Sequence, residues 1–141
     1  MAVLLHKRFR VSNGKVNFNF EVRTGLTVIT GDSGTGKTRF VSLLRSKCIV
    51  DGIKSIIFID WQDTEDIIKV KLNNRNKIIV IDSADVVLSD SDTERIKNDR
   101  YNQYIILGRL LARYGATKED VAELTLDEKG QYVLWYYLED Q

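Results

Sequence analysis

A glycine-rich segment between a strand-like run and a helical run constrains the fold of this 141-residue chain more than any other feature. The preceding run, Leu26–Thr30, is short, apolar and β-branched, as expected for a buried strand. The following run, 37–47, repeats apolar residues at helical spacing. The sequence therefore predicts a strand, a tight loop and a helix in direct succession.

The glycine-rich segment fits the pattern G-x-x-x-x-G-K-[ST], the Walker A phosphate-binding loop. Its glycines allow backbone angles that turn successive N–H groups inward, which forms an anion-binding nest at the positive end of a helix. We expect Lys37 to neutralise the β- and γ-phosphates and the Thr38 hydroxyl to bind Mg²⁺. The residues predicted to bind the nucleotide are Gly31, Asp32, Ser33, Gly34, Thr35, Gly36, Lys37 and Thr38.

Magnesium also needs an acidic ligand at a strand end, and two Ile-rich runs end in aspartate. These runs end at Asp60 and Asp82. Asp82 lies 45 residues after Lys37, which leaves room for an intervening strand and helix, whereas Asp60 lies only 23 residues after it. The spacing favours Asp82 as the metal ligand, and we expect Asp60 to cap the turn that follows its strand.

The remaining chain alternates strand and helix patterns between two hairpins. Composition is ordinary for a globular protein, with 43% hydrophobic and 29% charged residues, so we expect one domain over residues 1–141. Turn signals at Asn13-Gly14 and at 127–130 predict an N-terminal β-ribbon and a C-terminal β-hairpin. The predicted strands of these hairpins span 3–11, 15–22, 121–126 and 131–138, and the predicted buried strands span 55–60, 77–82 and 103–108. The two further predicted helices span 63–72 and a segment that begins at Ser91, with Glu94 in capping-box spacing.

This order predicts an α/β fold in which a mostly parallel sheet is flanked by helices, with the ribbon and the hairpin added. The succession of ribbon, GxxGxGKT loop, hydrophobic strand into Asp82 and strand ending at Gly108-Arg109 resembles the core of ABC-type ATPases, and AAA-type ATPases look similar. The resemblance covers nearly the whole chain and implies a P-loop NTPase fold. It also implies that Gln62 contacts Mg²⁺ and water, and that Arg109 senses the γ-phosphate.

The chain departs from these families in ways that bear on hydrolysis. Only 19 residues separate Gln62 from Asp82, so the helical subdomain of ABC-type ATPases is absent, and no LSGGQ-like signature occurs. Position 83 is serine, where both families commonly have a catalytic glutamate, and a serine cannot act as a general base without an activator. Asp85 is the nearest carboxylate that could substitute, although a surface turn is its more ordinary role. We therefore expect hydrolysis to be slow or to require a partner.

Three functions are compatible with these residues. The first is an Mg-dependent ATPase in which Lys37, Asp82 and Arg109 act on the phosphates. The second is a binding or regulatory module, in which ATP orders the segment 83–100 and a protein partner reads that state with little turnover. The third is a small-molecule kinase, although no insertion large enough to form a lid is visible.

Several features of the sequence indicate which nucleotide and which kinds of partner this chain binds. The segment Thr117-Lys118-Glu119-Asp120 is a degenerate form of the guanine-reading motif N/T-K-x-D. No apolar strand precedes it, so we favour a helix cap at Thr117. We therefore expect the chain to prefer ATP to GTP.

The net charge of +1 argues against binding to nucleic acid. No apolar run approaches the roughly 20 residues that span a bilayer. The single cysteine, Cys48, has no disulfide partner within the chain, and we expect it to be a buried small side chain. We expect the protein to be cytoplasmic. A protein partner, or self-association, is expected to complete the site.

Overall fold

The computed structural model describes residues 2–31 and 36–136. The strands are β1 (Arg8–Ser12), β2 (Asn17–Glu21), β3 (Leu26–Thr30), β4 (Ile56–Ile59), β5 (Ile78–Ile81), β6 (Gln103–Leu107), β7 (Val121–Leu126) and β8 (Tyr132–Tyr136). The α-helices are α1 (Lys37–Asp51), α2 (Glu65–Leu72), α3 (Ala84–Val87) and α4 (Asp90–Asn98), and short 3₁₀ helices occur at Leu111–Tyr114 and Lys118–Asp120. All predicted strands are present. Their ends lie within two residues of the predicted ends, except that β1 begins five residues later than predicted and that the predicted end at 138 lies outside the described residues.

The eight strands form one continuous sheet in the order β1-β2-β8-β7-β3-β6-β5-β4. The ribbon pair β1-β2 and the hairpin pair β7-β8 are antiparallel. The pairs β7-β3, β3-β6, β6-β5 and β5-β4 are parallel. One parallel bridge, between Phe18 of β2 and Tyr132 of β8, joins the ribbon to the hairpin. Strands from the two ends of the chain therefore meet in the same sheet.

The predicted fold class is wrong for this molecule. We expected a P-loop NTPase fold, with a mostly parallel sheet flanked by helices and with the ribbon and the hairpin as additions. The structure is instead a curled, mixed sheet with few helices, and the ribbon and hairpin provide four of its eight strands. The physical reason is that a two-stranded hairpin leaves unpaired N–H and C=O groups along its edges, which are satisfied here by joining the same sheet.

Apolar residues pack on both faces of the sheet. On one face, α1 buries Phe40, Val41, Leu44 and Cys48 against residues of the ribbon and of the central strands. On the other face, α2 and α4 bury Ile68, Leu72 and Ile96 against β5 and β6. Strands β5 and β6 are buried along their whole length, which explains their continuous apolar sequences. The expectation that Cys48 is a buried small side chain is confirmed.

The turn residues act as their chemistry predicts, with small shifts in position. The ribbon turn spans four residues rather than two, and the Asn13 side chain accepts hydrogen bonds from the N–H groups of Lys15 and Val16 at 2.9 Å each. The capping box of α4 is formed by Ser89 and Asp92, two residues before the predicted one. A cap at Thr117 is confirmed, but it begins a single 3₁₀ turn.

Candidate functional site

A pocket of about 550 Å³ opens where β3, β5 and β6 end. These strands are parallel neighbours, so their carboxyl ends lie at the same edge of the sheet. The pocket is lined by Gly36, Lys37, Thr38, Arg39, Asp82, Ser83, Asp85, Val86, Leu107, Gly108, Arg109 and Tyr132. The pocket therefore brings together five residues that the sequence assigns to nucleotide chemistry: Gly36, Lys37, Thr38, Asp82 and Arg109.

Two described glycines of the predicted phosphate-binding loop (residues 31–38, the phosphate loop) adopt backbone conformations that favour glycine. Gly31 has a φ of 130° and Gly36 a φ of 100°. A Cβ atom on Gly36 would also lie 3.3 Å from Cδ2 of Leu124, so this position is restricted by packing as well. The helix α1 begins directly after it, at Lys37. The other predicted phosphate-binding residues, Asp32, Ser33, Gly34 and Thr35, lie outside the described residues.

Two cationic side chains converge on one carbonyl oxygen at the mouth of this loop. The ammonium group of Lys37 donates a hydrogen bond to the carbonyl oxygen of Gly31. The Nη2 atom of Arg109 lies 3.5 Å from the same oxygen. Both groups are cationic, and phosphate oxygens accept strong charge-assisted hydrogen bonds from lysine and arginine. The arrangement is suited to a phosphate group.

Asp82 follows the last residue of β5, and its carboxyl group lines the pocket. Partial burial raises the pKa of Asp82 above its ordinary value of 3.8, and the charge of Asp60 acts in the same direction, while hydrogen bonds from Ser83 oppose the shift. A nearby cation would therefore be favourable. Within residues 2–31 and 36–136, no group of three or more histidine, cysteine or acidic side chains could hold a metal by itself. If Mg²⁺ were bound here, the hydroxyl of Thr38 and the carboxylate of Asp82 would supply oxygen ligands of the kind that this ion prefers.

The second aspartate candidate, Asp60, has another role. Its Oδ1 accepts a hydrogen bond from the N–H of Gln62 at 2.9 Å, and its Oδ2 pairs with Nη2 of Arg45 at 3.0 Å. The expected capping of the turn by Asp60 is confirmed. Gln62 is exposed in that turn, and it is not among the described residues that line the pocket.

The residues after Asp82 form a compact turn that sequence reasoning described only in part. Ser83 has a φ of 54° and is exposed at the start of α3. The sequence suggests that Asp85 is either a substitute base or a surface carboxylate. It is partly buried instead, and its carboxylate accepts the N–H of Arg109 at 2.7 Å, the N–H of Leu110 at 3.4 Å and the phenolic hydroxyl of Tyr114. No local sequence signal identifies these partners, which lie 24 to 29 residues further along the chain.

Tyr132 is a pocket residue that sequence reasoning did not assign to the site. Its ring stacks on Phe18, with ring centroids 4.9 Å apart and planes inclined by 18°. The same ring lies 3.6 Å from the position of a Cβ atom on Gly36. The aromatic character of the C-terminal hairpin was the only signal, and it is equally explained by packing.

The function of this chain must be inferred from the geometry of the pocket, because two comparisons with known proteins found no match. A scan against protein-family models finds no match to the chain, and a search of curated proteins finds no significant match. Among the described helices, none has both the length and the apolar character needed to cross a membrane.

Proposed function

We propose that this protein binds Mg·ATP in the pocket at the ends of β3, β5 and β6, and that it hydrolyses ATP slowly or only with a partner. One observation carries the proposal: Lys37, Thr38, Asp82 and Arg109, which the sequence assigns to a single chemistry, line one pocket. In this proposal the similarity to ABC-type and AAA-type ATPases concerns the chemistry of the site and not the fold.

Each of these side chains has a distinct task in the proposed complex. Lys37 neutralises the β- and γ-phosphates and Arg109 contacts the γ-phosphate, which supports binding because phosphate oxygens accept strong charge-assisted hydrogen bonds. Thr38 and Asp82 hold Mg²⁺ against the same phosphates. The N-terminus of α1, which begins at Lys37, adds the favourable electrostatics of a helix start to the anion site.

The proposal includes a preference for ATP over GTP. In the guanine-reading motif, an aspartate must be free to accept hydrogen bonds from the base. The carboxylate of Asp120 is engaged within the protein: it accepts the N–H of Thr117 at 2.8 Å and the hydroxyl of Thr24 at 2.6 Å. This engagement supports a structural role for the segment 117–120.

A second candidate function is a nucleotide-dependent switch with little turnover. The observation that favours it is that Asp85, the carboxylate considered as a substitute base, is already bound by two amides and a phenol, while Asp82 is assigned to Mg²⁺ in this proposal. A protein partner, or a second copy of the chain, would then supply the base or an arginine that accelerates hydrolysis. A cytoplasmic setting is part of the proposal, because a lone cysteine is typical of reducing compartments.

Calorimetric titration with Mg·ATP, Mg·ADP and Mg·GTP tests the proposal, with phosphate release followed on the same samples. We expect Mg·ATP to bind more tightly than Mg·GTP. We also expect Lys37→Ala to weaken Mg·ATP binding at least about tenfold, because a hydrogen bond to a charged group is lost. Lys47→Ala is the matched control, since Lys47 lies on the same helix and pairs with Asp51 at 3.2 Å.

The outcomes separate the candidates. Phosphate release at about one per second or faster would indicate a self-sufficient ATPase, and tight binding without release would indicate a switch. Failure of the unmodified protein to bind Mg·ATP, or equal binding by the Lys37 and Lys47 variants, would contradict both.

A further inference from the structure

The carboxylate of Asp85 lies between the ends of two strands that carry the phosphate chemistry. It follows β5 by four residues, and its oxygens accept hydrogen bonds from the loop that follows β6. Oδ2 accepts the N–H of Arg109 at 2.7 Å, while Oδ1 accepts the N–H of Leu110 at 3.4 Å and the hydroxyl of Tyr114. One side chain thus accepts hydrogen bonds from three residues of the segment after β6, Arg109, Leu110 and Tyr114.

The absence of a side chain at Gly108 leaves space for this carboxylate. A Cβ atom on Gly108 would lie 2.8 Å from Oδ1 of Asp85 and 3.2 Å from the hydroxyl of Tyr114, so a larger residue would displace the carboxylate. Burial, and then the neighbouring carboxylate, raise the pKa of Tyr114, so its phenol stays protonated and donates to Asp85.

The backbone of Asp85 is held in turn by a hydrogen bond from Arg113. Nη1 of Arg113 donates to the carbonyl oxygen of Asp85 at 3.1 Å, and Nη2 of the same residue donates to the carbonyl oxygen of Leu88 at 2.8 Å. The short helix α3 and the 3₁₀ helix Leu111–Tyr114 are therefore connected in both directions. This connection fixes the distance between the end of β5, where Asp82 lies, and the loop that carries Arg109.

Arg109 needs such support because it is exposed and lies outside any helix or strand. A long side chain on an unsupported loop loses much conformational entropy when it binds, and this loss weakens binding. A backbone that is fixed in advance reduces the loss. The guanidinium remains directed toward the phosphate loop, where it reaches the carbonyl oxygen of Gly31.

We propose that Asp85 is a positioning residue for γ-phosphate recognition: its carboxylate fixes the backbone at Arg109 and so directs the guanidinium to the third phosphate. The inference rests on the proposed function. The geometry favours positioning over proton transfer, because three of the roughly four lone-pair positions of this carboxylate are occupied by protein donors.

The test compares the affinities for Mg·ATP and Mg·ADP, measured by calorimetry, in matched variants. We expect the unmodified protein to prefer ATP, Arg109→Ala to bring the ratio of the two affinities close to one, and Asp85→Ala to reduce that ratio at least fivefold while changing ADP affinity less than about twofold. The double variant is expected to match Arg109→Ala, because both changes remove the same interaction. Asp127→Ala is the control, since Asp127 also accepts turn amides, from Lys129 and Gln131, but lies in the hairpin turn.

The outcomes distinguish this inference from the proposed function. If the unmodified protein binds neither nucleotide, the proposed function fails and the inference fails with it. If Arg109→Ala abolishes the preference and Asp85→Ala retains it, only the inference is overturned, and absence of any preference in the unmodified protein overturns it as well. Should Asp85→Ala not fold, Asp85→Asn decides: it keeps the shape and one acceptor oxygen, so we expect an intermediate ratio, and a ratio equal to that of the unmodified protein would contradict positioning.

Discussion

The backbone of Gly108 passes the carboxylate of Asp85 so closely that a Cβ atom at Gly108 would lie 2.8 Å from Oδ1. This glycine is not required for its φ angle, in contrast to Gly31 and Gly36, whose φ values are positive. Its role is to leave space for a carboxylate that belongs to the preceding strand–loop connection. Because the two loops approach so closely, a substitution at Gly108 can measure how tightly they pack.

Gly108→Ala is expected to destabilise the protein by about 1–3 kcal/mol, because the added methyl group must displace a carboxylate that holds three hydrogen bonds. The free energy of unfolding in urea measures the effect. In an Asp85→Ala background the cost of the same change should fall, since the nearest remaining atom is the Tyr114 hydroxyl at 3.2 Å. Equal costs in the two backgrounds would show that Asp85 is not the obstacle.

Ser83→Glu is expected to raise the rate of phosphate release if hydrolysis is limited only by the lack of a base near Asp82. A glutamate at this position could accept a proton from the attacking water, a contribution worth about 10²–10⁴-fold in favourable cases. Single-turnover release from bound Mg·ATP is the measurement, and Ser83→Gln is the matched control because it has the same shape without a carboxylate. An unchanged rate with intact ATP binding would favour the switch over the ATPase.

Asp82→Asn is expected to stabilise the nucleotide-free protein near neutral pH. Partial burial raises the pKa of Asp82 in the folded state, so the folded protein holds this proton more tightly than the unfolded chain does. The stability of the unmodified protein is thus greater below the ordinary carboxyl pKa and decreases as pH rises through the raised pKa. Urea unfolding at about pH 4 and about pH 7 should give a difference between variant and unmodified protein that grows with pH. A difference that is independent of pH would contradict the burial of this charge.

Gln103→Ala is expected to destabilise the protein by about 1–3 kcal/mol through the loss of buried hydrogen bonds. Oε1 of Gln103 accepts the N–H groups of Leu5 and His6 at 2.7 Å each, and Nε2 donates to the carbonyl oxygen of His6 at 2.8 Å. These bonds attach the segment before β1 to the fully buried β6. Gln62→Ala is the control, because Gln62 is exposed and its change should alter the unfolding free energy by less than about 0.5 kcal/mol. Equal losses would mean that Gln103 is not an anchor.

Local signals predicted the elements of this fold but not their arrangement. The apolar run of β5 and the turn chemistry of Asn13 and Asp127 operate within a few residues, and the structure contains each of them. The place of the ribbon in the sheet depends on the bridge between Phe18 and Tyr132, residues that are far apart in the chain. No periodicity records such a pairing, so the hairpins were predicted as additions to a parallel sheet when they are parts of a mixed one.

The site shows the same division between local and distant information. Lys37 and Thr38 belong to one contiguous motif, so the sequence pattern by itself predicts that they share a site. Asp82 was predicted because it follows an apolar strand at a suitable spacing, whereas Arg109 was implied by the resemblance to ABC-type ATPases. Both lie at the pocket because neighbouring parallel strands end at one edge of the sheet. The bonds of Asp85 could not be predicted, because an aspartate in a turn accepts any nearby N–H and the sequence does not identify which loop approaches it.

The position of β8 between β2 and β7 has a consequence for how the chain is made. The ribbon is synthesised before β8, the strand that joins it to the rest of the sheet. Until β8 follows, the apolar face of the ribbon, with Phe18 and Phe20, lacks its neighbouring strand. Assembly of the whole sheet must therefore wait for the synthesis of β8, and during that interval the ribbon would be a defined target for a nascent-chain chaperone.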